Sequence, residues 1–397
     1  MKVRASLYPL GLLLLIGLTG TGCVSQTVKS TAIPSINSSG ADMPEDQLLD
    51  VAIAIFDPGL DEEPENENIF PEIRRAEARF IPYTLMETVQ SSASWGAVRV
   101  VPDSNQIADL LVTGKILNSD GEKLELHISA TDATGRLWLD KKYRAVASKY
   151  SYESSASRHR LDPFQAIYNT IANDLLNKQQ QFNRQQALEI RLVSELKFAR
   201  SFAPEAFNAY LSEGPDQQLQ IHRLPAENDP MLKRVRKIRD RDHLFIDTMQ
   251  EHYSSFNNEM IQPYQEWRKQ TYSEAIALRE LKSESTRRMI AGVAAIVGGI
   301  AAANSDNGST RAAANVAMAG GGYLVKSGLD KRAEAEIHVE ALEELSSSLE
   351  AEVTPKVITL EDRSIVLSGS VDDQYQQWRS ILRNIYNTEM GNDSGSS

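Results

Sequence analysis

Apolar residues recur along this chain with two different periods, and the change of period near residue 150 divides it. From Leu48 onward the runs are short and β-branched. Val51 to Phe56 is stopped by Asp57-Pro58-Gly59, and Ala97 to Val101 is a second such run, so both read as buried strands. Between them Ile81, Leu85, Met86 and Val89 fall at helical spacing, which predicts a helix packed on the sheet. Leu110–Leu117, Leu124–Ile128 and Arg136–Val146 follow, separated by Asp120-Gly121 and Thr134-Gly135. Such turns between alternating runs predict an antiparallel meander over 109–147. The order strand, helix, strand, meander predicts a small α/β sandwich over residues 48–150.

Beyond residue 150 the period becomes helical. Asp162-Pro163 and Asn228-Asp229-Pro230 are helix starts, with Asp as the cap and Pro at the first helical position. Phe164, Ile167, Ile171 and Leu175 form one stripe. Leu232, Val235, Ile238, Phe245, Met249, Phe256 and Met260 form a longer one, expected to seek a partner helix downstream in Ile337, Ala341, Leu345, Leu349 and Val353. Residues 160–353 therefore read as a long antiparallel helical hairpin domain. Its far end, 289–325, is built from Ala, Gly and β-branched residues around a polar turn. Ala291, Ala295 and Gly299 on one arm, and Ala313, Ala317 and Gly321 on the other, repeat every four residues, a spacing that lets helix backbones approach closely. Each arm of about 15 residues reaches only about 22 Å, short of a bilayer's roughly 30 Å hydrocarbon core. Two uses stay open: insertion as a tilted or re-entrant annulus of several copies, or a tip buried against another subunit or domain. Residues 354–390 read as a β-hairpin (357–367) followed by a helix capped by Asp372, and 391–397 as a disordered tail, so the whole is of α+β class.

The first residues add a destination. Lys2 and Arg4 precede an apolar run from Leu10 to Leu18 and then small residues up to Cys23, the order of a secretory signal over 1–22. The run is too short for a membrane span. Gly20-Thr21-Gly22-Cys23 resembles the lipobox of bacterial lipoproteins, although Gly20 stands where Leu is usual. The resemblance implies a diacylglyceryl-modified Cys23 at the mature terminus, and Val24, which is not Asp, implies sorting to the outer membrane. The alternative is plain cleavage beside a free thiol. Residues 23–47, rich in Ser, Thr, Pro and Asn, read as a flexible tether.

Composition narrows the chemistry. The net charge of −12 becomes more negative once Lys2 and Arg4 are removed, which excludes a general nucleic-acid binder. Cys23 is the single cysteine, so disulfide frameworks and cysteine metal clusters are excluded. The six histidines show no ligand spacing. His243 beside Asp240 and Asp242 reads as a solvated helix face rather than a metal centre, as does the basic run Lys233–Arg239. The acidic loop 61–68 reads as a solvated connection without the alternation of a calcium loop. No catalytic motif is present, and neither an enzyme nor a cofactor is expected.

The runs "VAIAIFDPG", "LMETVQSSASWGAVRVVP", "ADLLVTGKIL" and "LELHISATDATGRLWLDKKYRA" resemble, in this order, the α/β domain of CsgG-type curli-secretion lipoproteins and the amino-terminal domain of TolB. The resemblance covers residues 48–148. It implies a lipid-anchored assembly, secretion or transport scaffold, working as a homo-oligomer with an envelope protein partner. The transmembrane β-hairpins of the CsgG channel have no counterpart after residue 150. A monomeric periplasmic module that recognises peptidoglycan or a protein is the alternative.

Overall fold

A computed structural model describes residues 24–29, 33–39, 43–60, 71–148, 150–153, 161–303 and 371–389. The chain is a mixed helix and sheet protein. Strands β1 (Val24–Lys29), β2 (Val51–Ala54), β3 (Val98–Val101), β4 (Leu110–Ser119), β5 (Lys123–Asp132) and β6 (Leu137–Val146) form one sheet in the order β1-β6-β5-β4-β2-β3. The expected meander is present: β4, β5 and β6 pair antiparallel. Its turns hold for the reasons read in the sequence. Asp120 Oδ1 accepts from the N–H groups of Glu122 and Lys123, and Gly135 takes φ +90°, open to glycine without a Cβ penalty.

Helix α1 (Pro71–Gln90) links β2 to β3, which lie parallel, and β2 also runs parallel to β4. A parallel strand is buried on both faces, and all four residues of β2 are. In β5, by contrast, buried and half-buried residues alternate, so one face of the meander stays wet. Helix α3 (Gln165–Gln179) packs on α1 and β6. The start expected at Asp162-Pro163 is corrected: these residues form a turn in which Asp162 Oδ1 accepts from the Phe164 N–H, and the helix begins at Gln165 with Phe164 in the cap position. After it come α4 (Arg184–Phe202), with a reciprocal cap between Asn183 and Gln186, short α5 (Pro204–Phe207), and a hairpin of β7 (Leu211–Glu213) and β8 (Leu219–Ile221). The 74-residue α6 (Pro230–Ala303) and α7 (Val371–Glu389) complete the described chain, together with the one-turn α2 (Tyr150–Glu153).

Three further expectations are corrected. Residues 24–46 are not a free tether over their whole length. β1 pairs parallel with β6, and the backbone at 34–37 is held by Asn169 and Asn173 of α3, because its polar groups find partners on the body. The boundary near residues 150–160 is not a core boundary: one continuous cluster of buried side chains runs from Leu49 to Tyr386. The sheet needs α3, α4, the start of α6 and α7 to cover its apolar surface, so these helices belong to the body. Asp372 lies inside the first turn of α7 rather than ahead of it. The signal 1–22, Cys23, the loop 61–68, the stripe from Ile337 to Val353, the hairpin 357–367 and the tail 391–397 lie outside the described residues.

Candidate functional site on the long helix

Helix α6 starts as its sequence dictates. Pro230 takes the first turn, and Asp229 Oδ1 accepts from the N–H groups of Met231 and Leu232 at 2.8 and 3.2 Å. The apolar stripe read from Leu232 to Met260 is buried and continues through Tyr264 and Trp267. The helix expected as its partner, Ile337 to Val353, lies outside the described residues. The stripe lies against α1, α4, β3 and α7. Heptad spacing specifies an apolar stripe and nothing of its partner, and the uncovered flank of the sheet is what it meets.

Polar contacts fix the register of this docking. Arg236 forms a two-pronged ion pair with Glu195 of α4, and Arg99 of β3 another with Asp247, at 2.5 and 3.1 Å. Gln250 closes the sheet edge. Its Oε1 accepts from Val100 N–H at 2.9 Å, and its Nε2 donates to Val100 C=O at 2.8 Å, so a side-chain amide stands in for a neighbouring strand.

The innermost contact is Arg268. Its side chain is fully buried, and Nη1 donates to Asp162 Oδ2 at 2.7 Å. The guanidinium lies 3.8 Å from the Tyr264 ring centroid and 4.9 Å from that of Phe164. Burial alone would press Arg268 toward neutrality, but Asp162 and the surrounding tyrosines hold its pKa above the ordinary arginine value. Alongside, the hydroxyls of Tyr264 and Ser119 donate to Glu77, which is also fully buried. Gly121, in the β4–β5 turn, permits the close approach. A Cβ there would sit 2.4 Å from the Arg268 carbonyl oxygen and the Tyr272 nitrogen. One aspartate thus holds the turn that leads into α3 and neutralises the cation of α6, tying two helices at one point.

Past this clasp α6 continues unbroken to Ala303, about 48 Å beyond Thr271 at 1.5 Å per residue. Ala291, Ala295 and Gly299 lie on this continuation, at successive four-residue steps along one stripe. Ala313, Ala317 and Gly321 lie outside the described residues, as does the lipid-attachment candidate Cys23. Among the described residues, no helix is long and apolar enough to cross a membrane. No group of three or more His, Cys, Asp or Glu residues there is placed to hold a metal ion.

The reading of Asp240, Asp242 and His243 as a solvated face holds for Asp240, which is exposed, and is overturned for Asp242 and the half-buried His243. Asp242 is fully buried. His243 is largely enclosed, and burial, then Arg239 and Arg99, push its pKa down to about 4. Asp242 faces α7: Tyr375 Oη lies 3.4 Å from Oδ2, and Arg379 Nη1 lies 3.7 Å from the same oxygen. Burial raises its pKa, with Arg379 and hydrogen bonds from Gln106 and Tyr375 opposing. Tyr375 Oη also donates to Gln106 of the β3–β4 loop, and Trp378 stacks on Phe245, ring centroids 4.7 Å apart. Burial of α7 turns this side of α6 inward, which no spacing in α6 itself announces. Arg268 was equally silent, although the tyrosines four positions to either side of it, Tyr264 and Tyr272, are a signal in the sequence. Compared with protein-family profiles, characterised proteins and solved structures, the chain finds no match.

Proposed function

We propose that this chain is a lipid-anchored protein of the bacterial outer membrane, facing the periplasm. In this reading it acts as an oligomeric scaffold for assembly, secretion or transport in the envelope, and α6 is the arm through which copies meet. One observation carries the reading. α6 is a single 74-residue helix, clamped to the body as far as Arg268 and then running on for about 50 Å with Ala291, Ala295 and Gly299 in register. A helix held at one end transmits position to the other, and a stripe of small residues suits close helix packing. In the sequence, the polar stretch 304–310 followed by the second ladder at Ala313, Ala317 and Gly321 reads as the turn and returning arm of a hairpin tip, the element through which copies would pack. The charged, apolar and small-residue order before Cys23 supports lipid attachment, and the strand, helix, strand, meander order supports kinship with the CsgG and TolB α/β domains.

The test is the solution mass of residues 24–397, without lipid and in mild detergent, against a variant carrying Ala295→Leu and Gly299→Leu. Leucine is nearly as good a helix former as alanine and far better than glycine, so the helix is kept while the stripe is filled. A discrete oligomer that falls to monomer in the variant supports the scaffold. A monomer in both overturns it and leaves the reading of a periplasmic binding module.

A further inference from the structure

Between α7 and the β3–β4 loop lies a cleft of about 280 Å³ that the scaffold reading does not use. Its walls differ in chemistry. The α7 side presents Arg379, Ser380 and Arg383, and the loop side presents Asn105 and Gln106. Arg379 and Arg383 are one turn apart and share a helix face. Arg379 is held in place but poorly satisfied. Its guanidinium sits 4.7 Å from the ring centroid of Phe202 and 5.4 Å from that of Phe198. The acceptors recorded for it are distant: Asp242 Oδ2 at 3.7 Å and Ser201 Oγ at 3.5 Å. A guanidinium carries five N–H donors and usually binds acceptors below about 3 Å, so most of this donor capacity is unspent. Arg383 is exposed and has no ion pair among the described residues.

The acids nearby do not use up these cations. Asp103, the acidic residue of the lining, has both oxygens engaged, one by the Asn105 N–H at 2.7 Å and one by Gln376 Nε2 at 3.1 Å. Asp242 is fully buried beneath the cleft and meets Arg379 only at the long distance above. The chain as a whole carries a net charge of −12, so a pair of arginines with free donors is a local exception to a surface that repels anions.

We infer that this cleft binds a small anionic ligand, with its carboxylate or phosphate head on Arg379 and Arg383 and its remainder against the Asn105 and Gln106 amides. The space of about 280 Å³ suits a small molecule rather than a macromolecular segment. A pair of guanidinium forks matches the planar or tetrahedral oxygens of either head group. Arg379 is prepositioned by the two phenylalanine rings, so binding orders little more than Arg383.

The experiment is calorimetric titration of the full mature chain with inorganic phosphate and, separately, with glutamate, at fixed ionic strength against a sodium chloride control. The expected result is saturable one-to-one binding of at least one probe. That binding weakens at least tenfold in Arg383→Gln and recovers in part in Arg383→Lys, which restores charge without the fork. Arg383 is exposed, so its variants keep the fold, and circular dichroism checks this. Phosphate alone, glutamate alone, or both binding with this pattern identifies the head group. Heats no larger than those of chloride for both probes, or equal affinity in wild type and Arg383→Gln, overturn the proposal.

Discussion

Arg268→Met tests whether α6 is clamped to the body as described. Methionine keeps an unbranched apolar stem but ends short of the guanidinium and carries no charge, so packing of the stem is retained while the ion pair and the ring contacts of the guanidinium are lost. Asp162, whose side chain is 8 % exposed, is then left as an uncompensated carboxylate in a dry site. Breaking one side of such a pair costs about 3–5 kcal/mol, and loss of the cation over the Tyr264 ring adds about 1 kcal/mol. Asp162→Asn removes the complementary charge but keeps an oxygen for the Phe164 N–H, so the turn before α3 survives in part. The double variant should recover a large part of the two single losses, because neither charge is then stranded. Urea unfolding followed by circular dichroism measures the total. Hydrogen exchange over 230–272 localises it, with protection expected to fall first around 260–272. Single losses below about 1 kcal/mol, or strictly additive losses in the double variant, would refute the clasp.

Three further outcomes follow from the same geometry. Gly121→Ala puts a Cβ 2.4 Å from two backbone atoms of α6, so turn or helix must move, at a cost of about 1–3 kcal/mol; an unchanged melting temperature contradicts this close approach. Gln250→Ala leaves the N–H and C=O of buried Val100 without partners, a loss of about 1–3 kcal/mol. Gln250→Glu should cost more than Gln250→Ala, because a carboxylate then faces the Val100 carbonyl, and the ranking of the two denaturation midpoints decides it. His243 gives a pH effect. Its folded pKa of about 4 lies below the ordinary 6.5, so the unfolded chain holds more protons between those values. Acidification through that window therefore removes up to about 3 kcal/mol of stability. The raised pKa values of Asp109, Asp242 and Glu87, each caused first by burial, act in the opposite sense, stabilising the fold as pH falls. The difference between wild type and His243→Gln isolates the histidine: it should shift against wild type from pH 7 to pH 4, and parallel stability curves would show that His243 is not held neutral.

Much of the fold was legible because it is local. The strands β2 to β6, helix α1, the meander turns and the Asp229-Pro230 start each depend on a few consecutive residues whose periodicity or backbone preference has one good solution. The apolar stripe of α6 was legible for the same reason. Its partner was not, since a stripe of Leu, Val and Phe is satisfied by any apolar surface, and among the described residues it meets α1, α4, β3 and α7. Residues 24–46 show the same limit: a polar composition favours a tether until Asn169 and Asn173 offer their amides 135 and 138 residues away.

The candidate sites divide along that line. Sequence alone determined the Asp229-Pro230 helix start, the small-residue ladder at Ala291, Ala295 and Gly299, and the absence of any recognisable catalytic spacing, because each is a statement about neighbours in the chain. Tertiary structure alone decided that Asp162 meets Arg268 across 106 residues, that Asp242 and His243 turn inward, and that Arg379 and Arg383 border a cleft against a loop near residue 105. The physical reason is that a charged side chain is written as solvent-facing in any one-dimensional pattern. Whether it is buried depends on whether folding brings a counter-charge and donors close enough to outweigh the water it leaves.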